Sequence, residues 1–124
     1  MIITNKVLNV DDYYFDVFMS ISQALTGFTL NELQSTGLTE TYYNYILNHL
    51  QAETFIEFLT VSKNVLENSF TENQLKNAIV SEIVMNPGMN DIADKIIILW
   101  HLGTWEGIYI NEQAYQDGWA VNVI

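Results

Sequence analysis

Apolar residues in this chain recur at intervals of three and four, and runs of period-two alternation of useful length are missing. Tyr14, Phe15, Phe18, Ile21 and Leu25 form one such series; Phe55, Phe58, Leu59, Val65 and Leu66, with Ser62 on the same side, form another. That spacing stacks side chains on one face of a helix, whereas a strand would need strict alternation. The punctuation agrees with helices. Asp11-Asp12 opens a segment that Gly27 closes, which predicts a first helix over 11–26. Thr29 with Glu32 has the form of a capping box, with Gly37 leaving room for only one or two turns. Thr39 then caps a helix carrying Tyr43, Ile46, Leu47 and Leu50, which Thr54 either continues or restarts. Thr71 with Gln74 opens a further helix through Leu75, Ala78, Ile79 and Ile83.

Asn86-Pro87-Gly88 ends that helix, because proline lacks a donor and disfavours helical backbone in the residue before it. Asn90-Asp91 begins the next segment, which contains the run Ile96-Ile97-Ile98-Leu99-Trp100 and stops at Gly103. A helix apolar all round must be covered on all sides. The sequence therefore predicts a compact all-α bundle of five to six helices around a central apolar helix at residues ~91–102. A short helix from Asn111 to Asp117 and an apolar tail from Trp119 to Ile124 complete it. At 124 residues, with no repeat and no linker-like stretch, one domain over 1–124 is expected.

Charge narrows the partners. Fifteen acidic residues stand against four lysines and no arginine, a net charge of -11. Nucleic acid is held largely through Lys and Arg on phosphate, so this chain is repelled by it, as it is by anionic membrane surfaces. The longest apolar run is five residues, far short of the roughly 20 needed to cross a bilayer, so no membrane insertion is expected. The N-terminal residues lack the basic and apolar regions of a signal peptide. The expected location is cytoplasmic if Met1 is the native start, and periplasmic if a signal was removed or the partner supplies it.

Reactive chemistry is sparse. Cysteine is absent, and neither Gly-x-Gly-x-x-Gly nor Gly-x-Ser-x-Gly occurs. His49 has Glu53 and Glu57 four and eight residues on, a spacing that suits a metal if one helix carries all three. The same spacing describes a solvated helix face. His101, in Leu99-Trp100-His101-Leu102-Gly103 and near Glu106, is either a general base or a packed histidine with one satisfied nitrogen. No catalytic, cofactor-binding or metal residue is assigned, and the chain is not expected to be an enzyme by itself.

Aromatic residues are abundant: three Trp, seven Tyr and six Phe. Tyr42-Tyr43-Asn44-Tyr45 spreads aromatics around most of a helical turn, so they are not all expected to face one core. Trp105, Tyr109, Tyr115 and Trp119 cluster near the C-terminus. Charged residues are only 15% of the chain, against about 25% in ordinary soluble domains. An aromatic, weakly charged surface suits a permanently associated subunit. The expected partner contacts are Trp105, Tyr109, Tyr115 and Trp119, then Tyr42 and Tyr45. Leu25 and Trp100 are assigned to the core, Gly27 and Gly103 to helix ends that need positive φ.

Ser22-Gln23-Ala24-Leu25-Thr26-Gly27-Phe28, Leu99-Trp100-His101-Leu102-Gly103-Thr104-Trp105 and a terminal Tyr115 with Gly118-Trp119 together resemble the small subunit of membrane-bound, FAD-dependent sugar and polyol dehydrogenases, the sorbitol dehydrogenase small-subunit family. His101 stands where that pattern has tyrosine. The resemblance covers residues 11–124. It implies a non-catalytic accessory subunit that stabilises a large flavoprotein of the glucose–methanol–choline type. FAD then belongs to the partner, and a cytochrome c subunit accepts the electrons. Two other readings remain open: a small metal-binding α-helical protein or enzyme using His49, Glu53 and Glu57, and a self-associating homodimeric α-domain.

Overall fold

The computed structural model describes residues 2–110, with side chains from Tyr13 onward. Six α-helices run in order: α1 (Ile2–Thr26), α2 (Leu30–Ser35), α3 (Thr39–His49), α4 (Ala52–Glu67), α5 (Glu72–Ile79) and α6 (Pro87–Leu102). A π-helical segment, Val80–Val84, follows α5 directly. A two-residue strand pair, β1 (Thr104–Trp105) and β2 (Ile108–Tyr109), follows α6. The fold is all-α, as the spacing predicts. The short helix and tail expected beyond Asn111 lie outside the described residues.

Most helix ends are set by the expected residues. Gly27 (φ 81) ends α1, its N–H reaching Gln23 O at 2.9 Å. Thr29 and Glu32 form the reciprocal capping box of α2, at 3.1 and 2.8 Å. Thr71 Oγ1 accepts from Gln74 N at 3.1 Å, while Gln74 Oε1 accepts from Phe70 N at 2.7 Å. Asn86 Oδ1 accepts from Gly88 N and Met89 N, and Pro87 occupies the first turn of α6. Proline's fixed φ is preorganised for that position. The triplet that ends one helix therefore also starts the next, and α6 begins ahead of the expected Asn90-Asp91.

Other boundaries differ from expectation. Helix α1 begins at Ile2, so Asp11-Asp12 falls inside it. An acid near a helix start contributes only about 0.3–1 kcal/mol, and residues 2–10 hold no glycine or proline to stop the helix running back. Leu38, not Thr39, caps α3: Gly37 (φ 71) turns the chain early, and Thr36 Oγ1 takes the Leu38 N–H at 3.0 Å. Between α3 and α4, Leu50 and Gln51 are extended (ψ 154 and 133). The two helices pack on each other, with Tyr43 and Phe55 ring centroids 5.8 Å apart, and that packing requires a corner.

The buried side chains form one contiguous cluster. Its aromatic centre joins α1, α3, α4 and α6: Phe18 lies 6.2 Å from both Phe55 and Trp100, and Tyr42 lies 5.1 Å from Trp100, edge to face. Such pairs add about 0.5–1.5 kcal/mol each beyond burial. Helix α6 packs against α1, the π segment and β1. It buries Met89, Ile92, Ala93, Ile96, Leu99 and Trp100, yet leaves Ile98 and Leu102 exposed. The expectation that this helix is covered on all sides fails at those two residues. Among the described residues, no helix is long and apolar enough to cross a membrane.

Candidate partner-binding face

Helix α6 carries a row of exposed residues at Asp91, Asp94, Ile98 and Leu102. Steps of three and four keep them on one face. Ile98 is 45% exposed and Leu102 67%, so the N-terminal half of the row is acidic and the C-terminal half apolar. His101 lies beside Leu102, its ring 4.9 Å from that of Phe28, the residue just past the end of α1.

Gly103 ends α6 in the left-handed region (φ 73) and feeds the chain straight into β1. The hairpin pairs Thr104 with Tyr109 and Trp105 with Ile108. Its turn residues, Glu106 (φ 51) and Gly107 (φ 83), both have positive φ, as a type I′ turn demands. Strand neighbours face opposite sides, so Trp105 points inward, 2% exposed, and its pair-mate's neighbour Tyr109 points outward, 53% exposed. The Tyr109 ring lies over Gly103, where an added Cβ would meet its Cε1 at 3.5 Å.

Charge holds the hairpin in place. Lys95 Nζ is 2.8 Å from Glu106 Oε2 and 3.1 Å from Asp91 Oδ2, and sits 5.8 Å from the centroid of the Trp105 ring. The hydrogen bond to Glu106 is the main cause raising the Lys95 pKa above its ordinary value, partly opposed by burial. Tyr42 is also raised, first by burial of its phenol and then by the proximity of Tyr109.

The expected contact residues divide. Tyr109 is on the exposed face. Tyr42, Tyr45 and Trp105 are 5%, 1% and 2% exposed, and belong to the chain's own interior. Helix α3 is covered on several sides, which is why successive tyrosines can all be buried: Tyr42 meets Trp100, Tyr43 meets Phe15 and Phe18, and Asn44 takes the open position. Tyr115 and Trp119 lie outside the described residues. Trp100 is in the core, Leu25 packs partly buried against it, and Gly27 and Gly103 have the positive φ assigned to them. Ile98 and Leu102 were hidden in an apolar run, although Asp91 and Asp94 mark the same side of the helix as solvent-facing.

The premise of the metal reading fails. His49 ends α3 while Glu53 and Glu57 lie on α4, beyond the corner at Leu50-Gln51. His49 instead stacks on Tyr45, centroids 3.7 Å apart, with Nδ1 2.8 Å from Tyr45 O. Among the described residues, no group of three or more His, Asp or Glu is placed to hold a metal ion. Open grooves lie elsewhere. One, of about 540 Å³, has Ala24, Phe28, Leu66, Leu75 and Ile79 among its lining residues. Another, of about 330 Å³, lies between α4, α5 and the π segment, its lining divided between valines and alanine on one hand and amides and hydroxyls on the other. No family model, curated protein or solved structure matches this chain.

Proposed function

We propose that this chain is a non-catalytic accessory subunit that binds and stabilises a large FAD-dependent alcohol or sugar dehydrogenase. The observation that carries the reading is the 4.9 Å contact between Phe28 and His101. It joins two of the three segments on which the sequence resemblance rests, some seventy residues apart, into one continuous region. Beside that contact lies Leu102, 67% exposed. Ile98, one turn earlier on α6, and Tyr109 on the hairpin are exposed as well, and exposed apolar side chains grouped in this way mark association surfaces. In this reading FAD is bound by the partner, which oxidises the alcohol and passes electrons to a cytochrome c.

The test is co-purification of the full chain from its source cell, followed by the visible spectrum of what it brings down. A flavoprotein in fixed ratio, with flavin absorption, is the expected result. A chain that stays a stable monomer and retains no flavoprotein ends the reading.

A further inference from the structure

We infer that the exposed face of α6 is a docking surface for a basic amphipathic helix of another protein, an inference that rests on the accessory-subunit reading. Asp94, Ile98 and Leu102 are each one helical turn apart, a spacing of about 6 Å along the axis. A partner helix with two apolar side chains one turn apart, and Lys or Arg on the following turn, reproduces that spacing.

Charge selects the sign of the flanking residue. Asp91 is engaged by Lys95, and Lys95 in turn by Glu106. Asp94 has no ion-pair partner among the described residues, whose salt bridges are those of Lys63 and Lys95. Covering Ile98 and Leu102 removes water from the neighbouring carboxylate. A carboxylate losing water needs a cation opposite it, and an unpaired one would oppose the contact. The chain itself is a poor source of that cation, with four lysines against fifteen acids.

A second copy is the wrong occupant for the same reason. A two-fold interface places one patch on itself, and a second chain with a net charge of -11 brings no surplus of cations to set opposite Asp94. The occupant is therefore a different protein of opposite local charge.

Two synthetic amphipathic helical peptides test this against the full chain by titration calorimetry. They share a leucine ridge and differ only in carrying lysine or glutamate on the flanking turn. The lysine peptide is expected to bind and the glutamate peptide to bind about tenfold or more weakly. Leu102→Lys and Ile98→Lys are each expected to weaken the lysine peptide about tenfold or more. Asp94→Asn is expected to remove most of the preference for lysine over glutamate. Val84→Lys, the same charge change at an exposed residue of the π segment, is the control and is expected to have a much smaller effect.

The inference is overturned if the lysine peptide does not bind, or if Val84→Lys weakens it as much as Leu102→Lys does. It is equally overturned if the chain sediments as a dimer that Leu102→Lys disperses. The two proposals fail separately. Peptide binding without flavoprotein capture removes only the dehydrogenase reading, whereas flavoprotein capture untouched by Leu102→Lys removes only this face.

Discussion

Lys95 and Glu106, eleven residues apart, meet at 2.8 Å between Nζ and Oε2, and their contact ties the tip of the hairpin to the middle of α6. Isolated hairpins of this length are at best marginal in water, and the ion pair adds to the burial of Trp105 and Ile110 in holding this one.

Replacing Lys95 by methionine keeps the stem over Trp105 and deletes the charge. Because both acids are largely exposed, the global loss is expected to be at most about 1 kcal/mol. The local effect is larger in kind. The Ile110 amide, bonded to Gly103 O at 2.9 Å, is expected to exchange its hydrogen faster than amides in α4. Unchanged exchange at Ile110 would show that the hairpin is held by Trp105 packing alone.

Alkaline pH acts on the same corner. The Lys95 pKa lies above its ordinary 10.5, chiefly because Glu106 accepts a bond from the charged form. Its contribution is therefore complete below 10.5 and is lost as pH rises through the folded value. Tyr42 lies above its ordinary 10.0 because burial disfavours the phenolate, so ionising it also opposes folding, over the same upward direction. Stability is expected to hold through neutral pH and to fall above about pH 10. Phenolate absorbance should show Tyr42 ionising above its ordinary value, and a Tyr42 that ionises at or below it would contradict the burial argument.

Two buried serines provide a paired comparison. Ser62 Oγ donates to Phe58 O at 2.8 Å, whereas Ser22 Oγ, fully buried, has no hydrogen-bond partner among the described residues. A buried hydroxyl without a partner costs free energy, and a bonded one contributes roughly 0.5–1.5 kcal/mol. Ser22→Ala is expected to be neutral or to stabilise by about 1 kcal/mol. Ser62→Ala is expected to destabilise by a similar amount in chemical denaturation. Equal losses at both sites would mean that Ser22 is bonded in solution.

Gly103→Ala tests the junction between helix and hairpin. Its φ of 73 is unfavourable for a residue with a Cβ, at about 1–2 kcal/mol. The new Cβ would lie 3.5 Å from Tyr109 Cε1 and from Tyr42 Oη, ordinary contacts that add no clash. The expected loss is therefore the conformational cost alone, read as a shift in the denaturation midpoint. A loss well above that range would indicate that Tyr109 and Tyr42 are displaced.

The sequence made some features legible and concealed others, for identifiable reasons. Gly27, Thr29 with Glu32, Thr71, Asn86-Pro87 and Gly103 act through local chemistry, and each ends or starts a helix as its residue type suggests. The corner at Leu50-Gln51 holds neither glycine nor proline and exists because α3 and α4 pack together. The hairpin escaped because Glu106, rather than asparagine or aspartate, takes a positive φ at its turn. Tyr42, Tyr45 and Trp105 were expected outside because their burial depends on which helices surround them. On the candidate face, only Tyr109 was anticipated among the described residues. Ile98 and Leu102 follow from the helical placement of Asp91 and Asp94, a signal that the neighbouring isoleucines masked.

The π segment has a geometric role that reaches beyond its five residues. An α-helix makes about 3.6 residues per turn, so apolar positions spaced by four drift steadily around it. Leu75, Ile79 and Ile83 are spaced in that way, yet Ile83 is fully buried. The wider turn, closed by Met85 N on Val80 O at 2.9 Å, takes up the drift and returns Ile83 to the interior. It works as a phase corrector: one residue more or fewer between Ile79 and Asn86 would rotate the launch direction of α6 and swing its acidic-to-apolar row to another bearing.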